Sequence, residues 1–238
     1  MIVTGAASGI GLACVQGLLA AGHRVCGADL QSVPAERVGA DPSRFFQVRT
    51  DVAEDADCRK VAARAEEAFG KLDAMIHMAA VHSTLTWREL TTAHFDRILA
   101  INVTGSFLMA RAAAERMVAG GAIVLTSSGS VNVGGIGGGG RGGPAYVSSK
   151  AAIIGLTKAL ARSLAPLGIR VNAISPGSTE TPMTAHYDEE ARRKVAERSL
   201  IGRMGRPEEI AAVAQFLISD AAAYMTGEVV QVNGGGGG

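Results

Sequence analysis

Several things are scarce in this sequence. Only three cysteines occur in 238 residues, Cys14, Cys26 and Cys58. Their spacing fits neither a redox pair nor a metal site, so buried packing thiols in a reducing cytoplasm are expected. There is no run of eighteen apolar residues, which argues against a membrane span. No basic segment with a following apolar stretch precedes the first strand, so no secretory leader is expected. Lys+Arg 23 against Asp+Glu 22 leaves a net charge of +1, which offers no general pull toward nucleic acid or a membrane surface. No clustering of His, Cys and carboxylates suggests a metal. The hydrophobic content is 47% and the charged content 19%, enough for a large core without cross-links. The length suits one large α/β domain or two small ones, and no linker, composition break or repeat divides it.

Strand and helix signals alternate along the chain. Strands are expected at Ile2–Thr4, Arg24–Ala28, Phe45–Val48, Leu72–His77, Ala122–Thr126, Ile169–Ile174 and Glu228–Val232. Helices are expected at Leu12–Ala21, over a charged stretch ending near Phe69, at Phe95–Met117, from Tyr146 to about Leu164 and at Glu208–Ser219. The strands read as continuous apolar runs, which implies a parallel sheet covered on both faces.

The first strand leads into Gly5-Ala6-Ala7-Ser8-Gly9-Ile10-Gly11 and then a helix closed by Gly22. Glycines let backbone approach a ligand closely, and a helix N-terminus offers free N–H groups to phosphate. The second strand is followed by Asp29, eighteen residues after Gly11, a spacing suited to a carboxylate that binds an adenosine ribose.

Tyr146 and Lys150 lie four residues apart in Pro-Ala-Tyr-Val-Ser-Ser-Lys, hence on one face of a helix. An ammonium beside a phenol favours the phenolate and is expected to lower its pKa from about 10. Such a tyrosine can exchange a proton with a carbonyl or alcohol oxygen.

These motifs together resemble the short-chain dehydrogenase/reductase family over essentially the whole chain. The matching residues are Thr4-Gly5-x-x-x-Gly9-Ile10-Gly11, Asp29, Asp51-Val52, Asn102, Tyr146-x-x-x-Lys150, Pro176-Gly177 with Thr181, and Gly205-x-Pro207-Glu208-Glu209. The resemblance implies one Rossmann-type, doubly wound domain over residues 1–238, with a seven-stranded parallel sheet. It implies NAD(P)-dependent hydride transfer between an alcohol and a ketone, and a homotetramer or homodimer built partly through the helices carrying Asn102 and Tyr146. Tyr146 becomes the acid/base, Lys150 its partner and a nicotinamide-ribose ligand, and Asn102 the holder of a relay water. Gly5, Ser8, Gly9, Ile10, Gly11, Asp29, Asp51, Val52, Ala79, Tyr146, Lys150, Pro176, Gly177, Thr179 and Thr181 become cofactor contacts. Asp51 and Val52 flank the adenine, and Thr181 lies near the carboxamide. A catalytic serine is implied at the end of the fifth strand. Strand alignment favours Ser128 over Ser130, with a loop to Tyr146 that is about five residues longer than usual.

That loop, Gly134–Gly143, has eight glycines in ten residues. It is expected to be mobile without ligand, and is either a substrate lid or a surface insertion. His77-Met78-Ala79-Ala80 stands where the family has Asn-Asn-Ala-Gly, so some hydrogen bonds of the sheet are expected to be lost or replaced. The first strand is short, and Gly234–Gly238 reads as a mobile tail. Asp29, followed by Leu30 rather than arginine, favours NAD over NADP by accepting the ribose diol and repelling a 2′-phosphate. Candidate substrate walls are Val81–Trp87, the glycine loop and Met183–Ile201, where an acid-then-base helix reads as a solvated face. His82 and His186 lie within these walls, although a lone histidine is more often structural. A cyclic alcohol, polyol or hydroxysteroid-like substrate is expected. The alternatives are a 3-oxoacyl thioester reductase and a non-catalytic NAD-binding scaffold. Lyases and epimerases of related fold generally use longer chains.

Overall fold

In an extended strand, neighbouring side chains point to opposite faces, so an unbroken apolar run needs cover on both sides. The computed structural model, which describes residues 1–33, 35–39, 41, 43–135 and 142–236, supplies that cover. Its strands are β1 (Ile2–Thr4), β2 (Val25–Asp29), β3 (Phe45–Arg49), β4 (Leu72–His77), β5 (Met117–Thr126), β6 (Arg170–Pro176) and β7 (Val229–Val232). All pair in parallel in one seven-stranded sheet of order β3-β2-β1-β4-β5-β6-β7. The order reverses between β1 and β4. In such folds a crevice opens beyond the strand C-termini at that point.

The main helices are α1 (Gly9–Ala20), α2 (Ala35–Val38), α3 (Asp55–Phe69), α4 (Thr92–Leu99), α5 (Gly105–Ala114), α6 (Ser130–Val133), α7 (Pro144–Leu164), α8 (Glu189–Ala196) and α9 (Pro207–Ile218). Ile2, Met75, Ile123 and Leu125 face the core under α3, α5 and α7, which contribute Val61, Met109 and Ile153. Their strand neighbours Val3, Ile76 and Val124 face the core under α1 and α9, which contribute Leu18, Ile210 and Leu217. One apolar run therefore serves two cores.

The helix expected over Phe95–Met117 is not one regular helix. A π-helical turn, Ala100–Thr104, separates α4 from α5, and β5 already begins at Met117. Two features account for this. Asn102 is fully buried in the π turn, where its side chain bonds neighbouring elements (below). Met117 pairs with Leu72 ahead of an irregularity in the ladder, and Gly120 supplies a φ of +90° within β5. A single π turn inserted between α-helical segments is the usual form of that distortion.

The expected glycine tail is also corrected in part. Ser199 Oγ donates to Gly234 O at 3.2 Å, and a Cβ at Gly235 would meet Leu200 Cδ1 at 2.6 Å, so residues 234–236 pack on the chain. Residues 237–238 lie outside the described part, as do 136–141 of the glycine loop.

Candidate active site

Helix α7 shows why Tyr146 and Lys150 come to be buried. Pro144 starts it, and Tyr146, Lys150, Ile153, Thr157 and Leu160 recur at three- and four-residue steps along its buried face. The stripe that packs this helix on the sheet carries Tyr146 and Lys150 at its N-terminal end. Lys150 Nζ donates to Thr126 O at 2.9 Å and lies 5.9 Å from the centre of the Tyr146 ring. Ser127 Oγ donates to Lys150 O at 2.8 Å, which ties α7 to the end of β5.

Ser128 lies close enough to the Tyr146 phenol to favour its charged form. Ser130 Oγ donates to Ser128 Oγ at 2.9 Å, and Ser130 N to the same oxygen at 3.2 Å. Of the two candidate serines, Ser128 thus sits against the phenol and Ser130 stands behind it.

The electrostatics depart from expectation. Burial pulls the Lys150 ammonium down to about 8. Burial also lifts the Tyr146 phenol above its ordinary value, opposed by Ser128 and reinforced by Tyr187. The expected lowering of Tyr146 by Lys150 is therefore reversed in sign here. Spacing brings the two together, but desolvation disfavours the charged form of each and wins.

Asn102 does not line the cleft, unlike the other expected site residues. Its Nδ2 donates to Val81 O and to Ser149 Oγ, both at 3.0 Å, and its Oδ1 accepts from Val81 N at 2.9 Å. Ser149 Oγ in turn donates to Tyr146 O at 2.7 Å. The amide thus ties the segment after β4 to the first turn of α7. Its backbone carbonyl accepts from Ser106 Oγ at 2.7 Å.

At the other end of the cleft, Gly5 and Gly9 adopt φ of +66° and +53°. A Cβ at Gly11 would lie 2.1 Å from Gly5 O, and one at Gly5 would lie 2.9 Å from Ala79 N. Side chains there would force the turn open. Asp29 accepts from Ala7 N and from Gln31 N, each at 2.9 Å, so its carboxylate is fixed beside the glycine turn. Asp51 Oδ1 accepts from Ala53 N at 3.0 Å, and Val52 is buried against Gly105. Gly177 N donates to Val232 O at 3.0 Å after β6, Thr179 Oγ1 donates to Gly177 O at 3.0 Å, and the Thr181 methyl side borders Gly9.

Met78 N and Ala79 N both donate to Thr4 Oγ1 at 3.1 Å. With two donors accepted, the Thr4 hydroxyl directs its own proton to His77 Nδ1, 3.0 Å away. His77 Nε2 then carries the ring proton, and it is buried with no partner among the described residues. Burial, with Lys150 adding to it, holds the His77 ring down to about 3. Histidine thus replaces the asparagine of the family pattern as a neutral sheet-bridging group.

The expected site residues other than Asn102 all border one cleft of about 1690 Å³, large enough for a dinucleotide with a substrate. Of the expected substrate walls, Val81, His82, Met183, Tyr187 and Ile201 line it, whereas Trp87 and Leu200 are exposed and do not. His186 stacks edge-on against Tyr187. Helix α8 pairs Arg193 with Glu197, and Lys194 with Glu190; the second pair borders the cleft, so the helix is not only the expected solvated face. The described ends of the glycine loop meet: a Cβ at Gly135 would overlap Gly142 O. No cluster of three metal-ligating side chains occurs among the described residues, and no helix there is long and apolar enough to cross a membrane.

Comparison with known proteins agrees with this geometry. The sequence profile of a family described as enoyl-(acyl carrier protein) reductase matches residues 5–236. An uncharacterized oxidoreductase of Mycobacterium bovis is 41% identical, covering 98% of this chain and 95% of the relative. Cis-4-hydroxycyclohexanecarboxylate dehydrogenase of Sinomonas cyclohexanicum is 36% identical over 98% and 94%. Mouse (3R)-3-hydroxyacyl-CoA dehydrogenase is 34% identical over 98% and 94%. A short-chain dehydrogenase/reductase structure from Brucella melitensis, titled glucose/ribitol dehydrogenase, superposes with TM-score 0.90 at 32% identity, covering 98% of this chain and 94% of that one. A Burkholderia cenocepacia short-chain dehydrogenase in complex with NADP gives TM-score 0.86 at 31% identity, over 98% and 96%. The chain belongs to the short-chain dehydrogenase/reductase family of oxidoreductases.

Proposed function

We propose that this family member interconverts a secondary alcohol and a ketone, with NAD as hydride carrier and Tyr146 as acid/base, in one domain over residues 1–238. The observation that carries the reading is the convergence of the Tyr146 phenol, Ser128 and the buried Lys150 on one cleft that also holds the glycine turn and Asp29.

A dinucleotide suits the residues present. The turn bare of side chains at Gly5, Gly9 and Gly11 and the N–H groups of Ser8 to Gly11 would take the pyrophosphate. Asp29 would take the adenosine ribose, and Asp51 and Val52 the adenine. Ala79, Pro176, Gly177, Thr179, Thr181 and Lys150 would surround the nicotinamide end. When bound, NAD supplies or accepts the hydride. The protein handles the proton. Tyr146 gives its phenolic proton to a ketone oxygen, or takes the proton of an alcohol, while Ser128 donates to that same oxygen. Ser130 orients Ser128. Lys150 stabilises the phenolate left behind. Asn102 holds Val81 and Ser149, and so the wall beside the phenol.

Asp29 supports NAD over NADP. Leu30 follows it, half exposed and lining the cleft, so the adjacent position offers no cation for a 2′-phosphate. The NADP-bound Burkholderia structure shows that the same fold also takes the phosphorylated cofactor, which makes the choice a matter of these local residues. Comparing kcat/KM for NAD and NADP tests this, and a clear NADP preference overturns it. For the substrate, the Sinomonas and Brucella proteins favour a cyclic alcohol or polyol. The mouse relative and the family description favour a 3-oxoacyl thioester as the second reading. A non-catalytic scaffold would have no use for the Tyr146, Ser128 and Lys150 arrangement. A screen of secondary alcohols with NAD, read by absorbance of the reduced cofactor, decides among them.

The cysteines support a reducing cytoplasm: all three are buried, free of disulfides and pushed up to about 12 by burial. Partly exposed Phe107 on α5 and Phe216 on α9 support a homodimer or homotetramer.

A further inference from the structure

His82 makes no side-chain hydrogen bond among the described residues, yet its position is fixed from both sides. Upstream, Val81 is held by two hydrogen bonds with the Asn102 amide. Downstream, Ser83 is buried, its carbonyl accepts from Gly143 N at 2.7 Å, and its hydroxyl pairs with His94 Nε2 at 2.9 Å. Between these clamps the His82 ring packs edge-on against Tyr146, with ring centres 4.5 Å apart and planes at 75°. Gly142 closes over both rings: a Cβ there would lie 2.7 Å from Tyr146 Cδ1 and 3.5 Å from His82 Nε2. The ring borders the cleft beside the phenol. A half-buried imidazole held in place by its neighbours, with its polar atoms unused, is arranged for a ligand rather than for the fold.

We propose that His82 is a specificity-determining residue that hydrogen-bonds a second, neutral oxygen of the substrate, a keto, hydroxyl or (thio)ester oxygen one or two carbons from the carbon that exchanges hydride. This rests on the alcohol–ketone reading above. Tyr146 and Ser128 serve the reacting oxygen, so a further polar group one ring away addresses a further oxygen. The ring is neutral at pH 7, because burial, His186 and Lys150 all disfavour its cationic form. It therefore offers one donor and one acceptor and suits an uncharged oxygen better than a carboxylate.

The test is a ratio of kcat/KM within matched pairs, ethyl acetoacetate against 2-pentanone and 2-hydroxycyclohexanone against cyclohexanone, with NADH and NADPH. Wild type is expected to favour the oxygenated member of at least one pair by about tenfold or more. A second oxygen also activates a ketone intrinsically, so the decisive figure is the change in the ratio. His82→Phe keeps the ring against Tyr146 and is expected to lower the ratio at least fivefold, while His82→Gln, which still donates, keeps more of it. Circular dichroism checks that the variants fold, and His82→Leu, which has no donor or acceptor either, carries the test if Phe does not. An unchanged ratio in the variant without a donor overturns the role of His82 alone. Failure of wild type to reduce any of the four ketones with either cofactor overturns the alcohol–ketone reading, and this proposal with it.

Discussion

Lys150 reaches past the Tyr146 ring, 5.9 Å from its centre, to donate to Thr126 O at 2.9 Å. The two groups that would share proton chemistry are both removed from water, and burial moves each toward its neutral form. At neutral pH the phenol holds its proton, the form that the proposed ketone reduction uses. The proposed alcohol oxidation would begin by removing it.

A pH dependence follows. Oxidation of an alcohol should rise about tenfold per pH unit between pH 6 and 8, as the rare phenolate form grows. Reduction should stay nearly flat over the same range, since the protonated phenol dominates throughout. Initial rates in both directions across that range check this, and a flat oxidation profile would contradict it. Lys150→Ala should lower turnover and weaken cofactor binding together.

Asp29→Ala should narrow the preference for NAD over NADP by about tenfold or more, through loss of a carboxylate that bonds the diol and repels a phosphate. NAD affinity should also fall, because Ala7 N and Gln31 N lose their shared anchor. The ratio of kcat/KM values for the two cofactors is the measurement.

His77 makes stability acid-sensitive. Its ring titrates near 3 in the folded chain and at 6.5 when unfolded, so between these values the unfolded chain binds a proton that the native one refuses. Unfolding free energy should therefore fall as pH drops from 6.5 toward 4.5, by up to about 1.4 kcal/mol per pH unit from this group. Urea titrations of wild type and His77→Asn at pH 6.5, 5.5 and 4.5 should show a shallower dependence in the variant. Parallel curves would exclude this source.

Asn102→Ala should cost about 3 kcal/mol, since it strands Val81 N and Val81 O and removes the donor to Ser149 Oγ. Chemical denaturation measures it, and a loss below about 0.5 kcal/mol would show that the tether is dispensable.

Features written in short, contiguous patterns are legible in the sequence itself. The individual strands, the glycine turn followed by Asp29, and the Tyr146–Lys150 spacing all depend on neighbours within a few tens of residues. Features that depend on distant packing are not. Asn102 sits in an apolar helical period that gives no sign of a π turn, because the cause is Val81 and Ser149, far away in sequence. The sign of the Tyr146 shift is set by burial, which spacing does not encode. His82 reads as a lone histidine along the chain, and only the fold, through Gly142 and Ser83, places it on Tyr146. Its one local signal is its position just past the family's fourth-strand motif, within the expected substrate wall. The final glycines read as a tail because Ser199, which anchors Gly234, lies 35 residues away in sequence.

The most direct test of the central claim is Tyr146→Phe, assayed for hydride transfer with an alcohol that the wild type oxidises, alongside NAD binding by fluorescence titration. The variant should lose about a thousandfold in kcat while its NAD Kd stays within about threefold of wild type. A kcat within a few fold of wild type would show that the phenol does not move the proton, and the account would fall.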